Sequence, residues 1–333
     1  MFKTLLVPLD RSPMAEQALV PAASIARSCN ARVDIVLVHQ QPVLANLRRS
    51  NRNDEQLQQE HRYTQDIANR LAKHGVTNCT HAVLTGKVED AICARADAIA
   101  ADLIVMTSHG DTGFSRARLG SIAYSLVRKS ALPVMVLRVA DGIRPTVRTE
   151  PLFRRILVPL DGSPHSLYAL GGAAQLARSN KGTIVLLRVV EPIPLFSQPI
   201  GLTTGALGSG VQPYLPTNIQ DILATERQCS KVRNELTDVA NRLAAKELVS
   251  VQVEVVVATH VASAIIDYAS AAGIDLIAMS THGRGASLFL LGSVADSILR
   301  ASNIPLLLMK PVKTVVQSGA RVPFSETQHA LVG

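Results

Sequence analysis

The feature that most constrains this chain is an internal duplication. Residues 6–13 read Leu-Val-Pro-Leu-Asp-Arg-Ser-Pro, and residues 157–164 repeat this segment with one change, 151 positions later. A later apolar run beginning Asp-Leu-Ile returns at an offset of 173 residues, and the Gly-Ser pair that follows it returns at 172. Three landmarks in the same order indicate two copies of one structural unit.

Each copy has the pattern of alternating strands and helices. Short, continuous apolar runs are typical of strands buried on both faces, and helical apolar stripes separate them. This alternation predicts an α/β fold with a parallel sheet and right-handed crossovers. In the first copy, strands are predicted at residues 3–9, 33–38, 80–84, 103–106 and 133–137. We expect two domains at residues 1–139 and 153–312, a polar linker at 140–152 and a tail at 313–333.

Composition agrees with a globular chain. The 333 residues are 47% hydrophobic and 18% charged, and no run approaches the roughly 18 apolar residues of a membrane helix. The apolar run at residues 5–9 is too short for a signal peptide, so we expect a cytoplasmic protein without membrane insertion.

Charge and cysteine content exclude two further classes. The net charge is +8, but the basic residues are dispersed and do not alternate with aromatics, so we do not expect nucleic-acid binding. Cys29, Cys79, Cys93 and Cys229 show no C-x-x-C spacing. We expect free thiols and no metal site.

The stretch at residues 102–121 carries the strongest functional signal. A short apolar run leads into a segment with glycines at 110, 113 and 120, and Ser121 is predicted to be the N-cap of the next helix. The first N–H groups of a helix have no internal partner, and the helix dipole favours negative charge there. Strand, glycine loop and helix start together predict an anion site.

This pattern resembles the universal stress protein family. The family motif is Gly, two residues, Gly, nine residues, Gly and then Ser or Thr, with an Asp at the end of the first strand. The resemblance covers nearly the whole chain as two tandem copies. It implies Rossmann-like domains, each a five-stranded parallel sheet with helices on both faces. It also implies ATP, with or without Mg²⁺, at the carboxyl ends of the strands. Pairing through the last strands, within one chain or in a homodimer, is a further implication.

The family's binding positions transfer onto both copies. By resemblance, the aspartates lie on the adenine side, and Gln40 and Val189 directly follow the second strand of each copy. The glycines and serines receive the ribose and phosphates, and the following residues supply N–H groups. In the first copy these positions are Pro8, Asp10, Gln40, Thr107, Gly110, Gly120, Ser121, Ile122 and Ala123. In the second copy they are Pro159, Asp161, Val189, Ser280, Gly283, Gly292, Ser293, Val294 and Ala295.

Both copies depart from the family motif. Its first glycine is Thr107 in one copy and Ser280 in the other. Nine residues separate Gly110 from Gly120, but only eight separate Gly283 from Gly292. We expect this deletion to re-aim the N–H groups that follow it, which makes the second copy the weaker candidate site.

Structural roles compete with binding roles at several positions. Asp10 and Asp161 can contact a nucleotide or cap the next helix. His109 and His282 resemble catalytic residues, but no ordered nucleophile or paired carboxylates accompany them, and satisfying the loop backbone is the favoured interpretation. The chain has no P-loop motif and no G-x-G-x-x-G fingerprint after a strand.

Three hypotheses follow. The first is an ATP-binding stress or signalling protein with slow or no hydrolysis, at most a weak ATPase. The second is a nucleotide-free interaction platform of the same fold. The third is an enzyme acting on an adenine nucleotide, which lacks a visible reactive side chain. The apolar insertion at residues 191–218 is expected to form a lid or an interface segment.

Overall fold

The computed structural model describes residues 2–39, 50–108, 120–138, 152–193, 219–281 and 291–310. We call residues 2–138 the first half and residues 152–310 the second half. The first half contains β1 (Thr4–Leu9), α1 (Leu19–Cys29), β2 (Arg32–His39), α2 (Ser50–Lys73), β3 (Cys79–Thr85), α3 (Val88–Ala98), β4 (Leu103–Thr107), α4 (Ser121–Lys129) and β5 (Val134–Leu137). The second half contains β6 (Arg155–Pro159), α5 (Ala169–Asn180), β7 (Thr183–Val190), α6 (Ile219–Glu247), β8 (Ser250–Val257), α7 (Val261–Ala271), β9 (Leu276–Ser280), α8 (Ser293–Ala301) and β10 (Leu306–Met309).

The described strands form one sheet in the order β3-β2-β1-β4-β5-β10-β9-β6-β7-β8. Neighbouring strands within each half are parallel, which confirms the predicted pair of five-stranded parallel sheets. The last strands of the two halves, β5 and β10, lie side by side and pair antiparallel. Each half also reverses its strand order once, between β1 and β4 and between β6 and β9.

Two apolar layers cover the sheet. Leu5 and Val7 of β1 belong to the layer that includes α1, α2, α5 and α6. Leu6 belongs to the opposite layer, which includes α3, α4, α7 and α8. Side chains of a strand alternate between its faces, so a continuous apolar run fits a strand that is covered on both sides.

The chain enters α1 and α4 differently. A short 3₁₀ turn (Ala15–Ala18) precedes α1, and the Ser12 Oγ accepts the Ala15 N–H at 3.0 Å ahead of that turn. The prediction that Ser121 is an N-cap is wrong by one residue. Gly120 holds that position with extended torsions (φ −57°, ψ 141°), and Ser121 is the first helical residue.

Several predicted segments lie outside the described residues. These are most of the linker at 140–152, most of the insertion at 191–218 and the tail at 313–333. All four cysteines lie within the described part of the chain, and all four are free thiols, as predicted.

Candidate functional site

Backbone hydrogen bonds close the base of each glycine-bearing loop in the same way. In the first half, the Gly120 N–H donates to the Ser108 carbonyl at 2.8 Å. In the second half, the Gly292 N–H donates to the Thr281 carbonyl at 2.8 Å. We call each of these closed loop bases a neck. Thr107 and Ser280, the last residues of β4 and β9, are 6% and 7% exposed directly before the necks. Both positions where the family glycine is replaced are therefore buried.

The helix that leaves each neck begins identically in the two halves. Gly120 has torsions of −57° and 141°, and Gly292 has −59° and 147°. The first intrahelical bonds are Tyr124 N–H to the Gly120 carbonyl at 3.0 Å and Asp296 N–H to the Gly292 carbonyl at 2.8 Å. The three N–H groups before each of these bonds have no intrahelical acceptor. They belong to Ser121, Ile122 and Ala123 in α4, and to Ser293, Val294 and Ala295 in α8.

The expected effect of the shorter second loop is not observed at the helix. The torsions at Gly120 and Gly292 and the two neck hydrogen bonds agree between the halves, although the chain between Thr281 and Gly292 is one residue shorter than its counterpart. The prediction that the deletion re-aims the following N–H groups is wrong for the described start of α8. Both helix starts present the same donors.

Asp10 and Asp161 organise the turn after the first strand of each half. Asp10 Oδ1 accepts from the Ser12 N–H at 2.9 Å and from Ser12 Oγ at 2.6 Å. Asp161 Oδ1 accepts from the Ser163 N–H at 2.8 Å and from Ser163 Oγ at 2.6 Å. Each serine Oγ in turn accepts a helical N–H. In these bonds the serine hydroxyl accepts the helical N–H, and the aspartate carboxylate accepts the N–H and O–H of the serine.

A sequence model of the universal stress protein family matches residues 1–138 and 152–310. The chain belongs to the universal stress protein family. A universal stress protein of Mycobacterium tuberculosis strain H37Rv is 28% identical over 211 residues, which span 63% of this chain and 62% of that relative. Its whole-protein properties therefore do not transfer directly.

Solved structures of the family share the fold. A universal stress protein from Archaeoglobus fulgidus has a TM-score of 0.65 at 18% identity, covering 93% of this chain and 99% of that chain. A shorter universal stress protein, described in complex with cAMP, is 22% identical and has a TM-score of 0.34. That match covers 42% of this chain and 98% of the shorter protein. The first of these likenesses shows the architecture across both halves.

The structure places most of the family's binding positions near the carboxyl ends of the strands. Pro8 lies in β1 opposite Val36, and Pro159 ends β6 opposite Leu187. Val189 was expected just after the second strand of its copy, but it lies inside β7, paired with Val256. The repeat offset makes Val38, inside β2, its counterpart. Outside the described residues are Gln40, Gly110, Gly283, His109 and His282.

The sequence analysis missed an arginine beside the second candidate site. Arg188, on β7, is 9% exposed. A methyl group added to Gly162 would lie 2.7 Å from its Nη1. Gly162 has φ +83°, and its counterpart Arg11 has φ 71°. The sequence did contain a signal for this role. Arg188 is a charged residue inside an otherwise apolar strand, and the equivalent residue of the first half is Leu37. The turns after β1 and β6 therefore differ chemically, although their serine caps are the same.

A second missed feature is a buried pair at the end of β2. His39 Nδ1 lies 2.7 Å from Glu60 Oε2, and the two side chains are 1% and 3% exposed. Gln56 donates to the other carboxylate oxygen at 3.0 Å. The second half has Val190 at the position of His39. This pair anchors α2 to the carboxyl edge of the first half's sheet.

Three thiols are poorly suited to nucleophilic chemistry. Burial raises the pKa of Cys79 to about 11, and the nearby Asp34 adds to the effect. Burial also raises the pKa values of Cys93 and Cys229. Because the thiolate is the reactive form, these groups are protonated at neutral pH. Among the described residues, no three His, Cys, Asp or Glu side chains form a group suited to a metal ion, and no helix is long and apolar enough to span a membrane.

Proposed function

We propose that this protein binds ATP at the carboxyl ends of its strands and acts as a nucleotide-responsive stress or signalling protein. The observation that carries this proposal is the position of the necks. In the first half, β1 and β4 are neighbours, and the strand order reverses between them. In open α/β sheets, ligands bind in the crevice at such a reversal.

The groups around this crevice suit an adenine nucleotide. Asp10 follows β1, and Ser108 and Gly120 follow β4, so they flank the reversal from its two sides. The start of α4 contributes N–H donors and the positive end of a helix dipole, which favour phosphate. Asp161, Thr281 and Gly292 flank the second reversal in the same arrangement, which supports a second site.

ATP in this proposal is a conformational ligand. With no P-loop lysine, hydrolysis is expected to be slow or absent, and Mg²⁺ would enter with the nucleotide. We call the pairing of β5 with β10 the joint. It supports the proposal that the two halves of one chain pair with each other as two subunits of a dimer would. We further propose a cytoplasmic location and assembly into a homodimer through surfaces other than this joint.

A nucleotide-free interaction platform is the second candidate. The observation in its favour is the continuous sheet, since β5 and β10 pair directly through their own backbone and so join the two halves. The two candidates differ in one measurable property. An ATP-binding protein must gain stability when ATP is added, because ligand binding to the folded state shifts the unfolding equilibrium.

The test is a charge placed at the first helical residue. Ser121 is exposed, and Ser121→Asp adds a carboxylate beside the proposed phosphates. Coulomb repulsion between unit charges near 4 Å amounts to about 1–4 kcal/mol, so ATP affinity should fall by about tenfold or more. The apo protein should remain folded, because an acidic residue in the first turn stabilises a helix.

The measurement is the thermal shift caused by ATP and by cAMP, with Ser121→Ala as the uncharged control and Ser293→Asp as the matched change in the second half. Ser121→Ala should retain the shift. If ATP raises the melting temperature equally in wild-type protein and in the Ser121→Asp/Ser293→Asp double variant, it binds elsewhere. If it has no effect on the wild type, the interaction platform becomes the better account.

A further inference from the structure

Two cations cross the joint between the halves in a reciprocal arrangement. Arg138, directly after β5, donates from Nη1 to the carbonyl of Arg300 near the end of α8. Lys310, directly after β10, donates from Nζ to the carbonyl of Arg128 near the end of α4. Arg138 and Lys310 are equivalent residues 172 positions apart, and so are Arg128 and Arg300. The duplication therefore preserves both contacts. A cation at a helix C-terminus satisfies terminal carbonyls and complements the dipole.

The same cations are adjacent in sequence to residues that hold the necks. The Leu137 carbonyl accepts the Ser108 N–H at 2.7 Å, and Arg138 is the next residue. In the second half, the Met309 carbonyl accepts the Thr281 N–H at 2.8 Å, and Lys310 is the next residue. One peptide unit therefore separates each neck contact from the cation that reaches the other half.

These contacts close a ring through both candidate sites. The ring starts at the first neck, where Ser108 bonds to the end of β5, and Arg138 then links β5 to the end of α8. Helix α8 leads back to the second neck, where Thr281 bonds to the end of β10. Lys310 then links β10 to the end of α4, and α4 leads back to Gly120. We call this path the cross-half ring. Within the described residues, each link is a backbone hydrogen bond, a cation-to-carbonyl contact, a helix or a peptide unit.

An aromatic contact holds the two helices of the ring together. The Arg300 guanidinium lies 5.3 Å from the ring centroid of Tyr124 on α4. Asp296 fixes that guanidinium through contacts of 2.8 and 3.2 Å. Arg128 lies 5.6 Å from the same Tyr124 ring. The end of α8 is thus in direct contact with α4, and the two helices are also linked through the strands.

We propose that the cross-half ring couples the two candidate nucleotide sites, so that a ligand at one site raises the affinity of the other; this inference rests on the function proposed above. A phosphate at the start of α4 orders that helix along its axis and therefore orders the carbonyl that receives Lys310. Lys310 follows Met309, which holds the second neck. A second ligand then meets a neck that is already ordered, which gives positive cooperativity.

The first arm of the test uses the apo protein and needs no nucleotide. Lys310→Met removes the donor and keeps an apolar stem, and the readout is hydrogen exchange at the Gly120 amide in the other half. We expect exchange to accelerate by about fivefold or more, the lower end of typical coupling between sites. Arg27→Met is the matched control, because Arg27 Nη1 donates to the His74 carbonyl at 3.1 Å within one half. Unchanged exchange at Gly120 overturns the ring.

The second arm adds ATP to Ser121→Asp protein, in which the second site alone is intact. ATP should slow exchange at the Gly120 amide by about fivefold, and Lys310→Met in the same background should abolish that effect. If ATP binds but leaves Gly120 unchanged, the coupling is wrong and the proposed function stands. If ATP binds to neither half, the proposed function and the coupling of occupied sites both fail. The first arm still tests whether Lys310 and the neck at Gly120 are linked through the ring.

Discussion

Replacing Arg95 with methionine should lower the free energy of unfolding by about 3–5 kcal/mol, the usual cost of leaving a buried charge without its partner. Asp34, on β2, has a fully buried side chain. Arg95 on α3 contacts both of its carboxylate oxygens, at 2.8 and 3.0 Å, and Thr80 on β3 donates to one of them. Arg95→Met removes the compensating cation and leaves the carboxylate inside the apolar layer. Urea denaturation measures the loss.

The second half supplies the matched control. The repeat offsets place Val185 at the position of Asp34 and Tyr268 at the position of Arg95, and Val185 is fully buried. Because well-packed apolar groups can replace a buried ion pair at little cost, Asp34→Val/Arg95→Tyr should recover most of the lost stability. A double variant as unstable as Arg95→Met would show that this account of the pair is wrong.

Truncating Leu307 to alanine should cost about 2–5 kcal/mol, the range for a buried leucine that leaves a cavity. Leu307 on β10 lies opposite Met135 on β5, and both are fully buried. The two residues belong to different halves. We therefore expect Leu307→Ala to accelerate hydrogen exchange in Val134–Leu137 of the first half, which gives a residue-specific readout of the joint.

Leu243→Ala provides the comparison for Leu307. Leu243 is also fully buried, but it lies on α6, away from the joint. The same substitution there should lower stability without selectively exposing β5, because local openings follow local contacts. Equal exchange in β5 for the two variants would argue against a joint held by β5 and β10.

Most of the fold was predictable because its signals are local and repeated. The apolar runs and the offsets of 151, 172 and 173 residues identify two parallel α/β units. The error at Ser121 arose because a serine and a glycine can both serve as an N-cap, and the backbone torsions that make Gly120 the N-cap are not visible in the sequence. The placement of Val189 failed because strand length is set by pairing with β8, which one strand's own sequence does not reveal.

Other features depend on contacts between distant residues. The Asp34–Arg95 pair joins positions 61 residues apart, and the Arg138 contact spans 162. No local pattern shows that Lys310 reaches Arg128, although its 172-residue relation to Arg138 is visible in the duplication. The neck hydrogen bonds also explain why a shorter second loop leaves α8 unchanged, since the helix start is fixed by Thr281 rather than by loop length.

The central claim is that the reversal in each half is a nucleotide site. Equilibrium dialysis of the full chain against labelled ATP tests it most directly, with the Ser121→Asp/Ser293→Asp double variant measured alongside. The account predicts saturable binding that approaches two ATP per chain in the wild type, and an affinity lower by about tenfold or more in the double variant. An absence of saturable binding to the wild-type chain at millimolar ATP, or equal binding by the double variant, would contradict it.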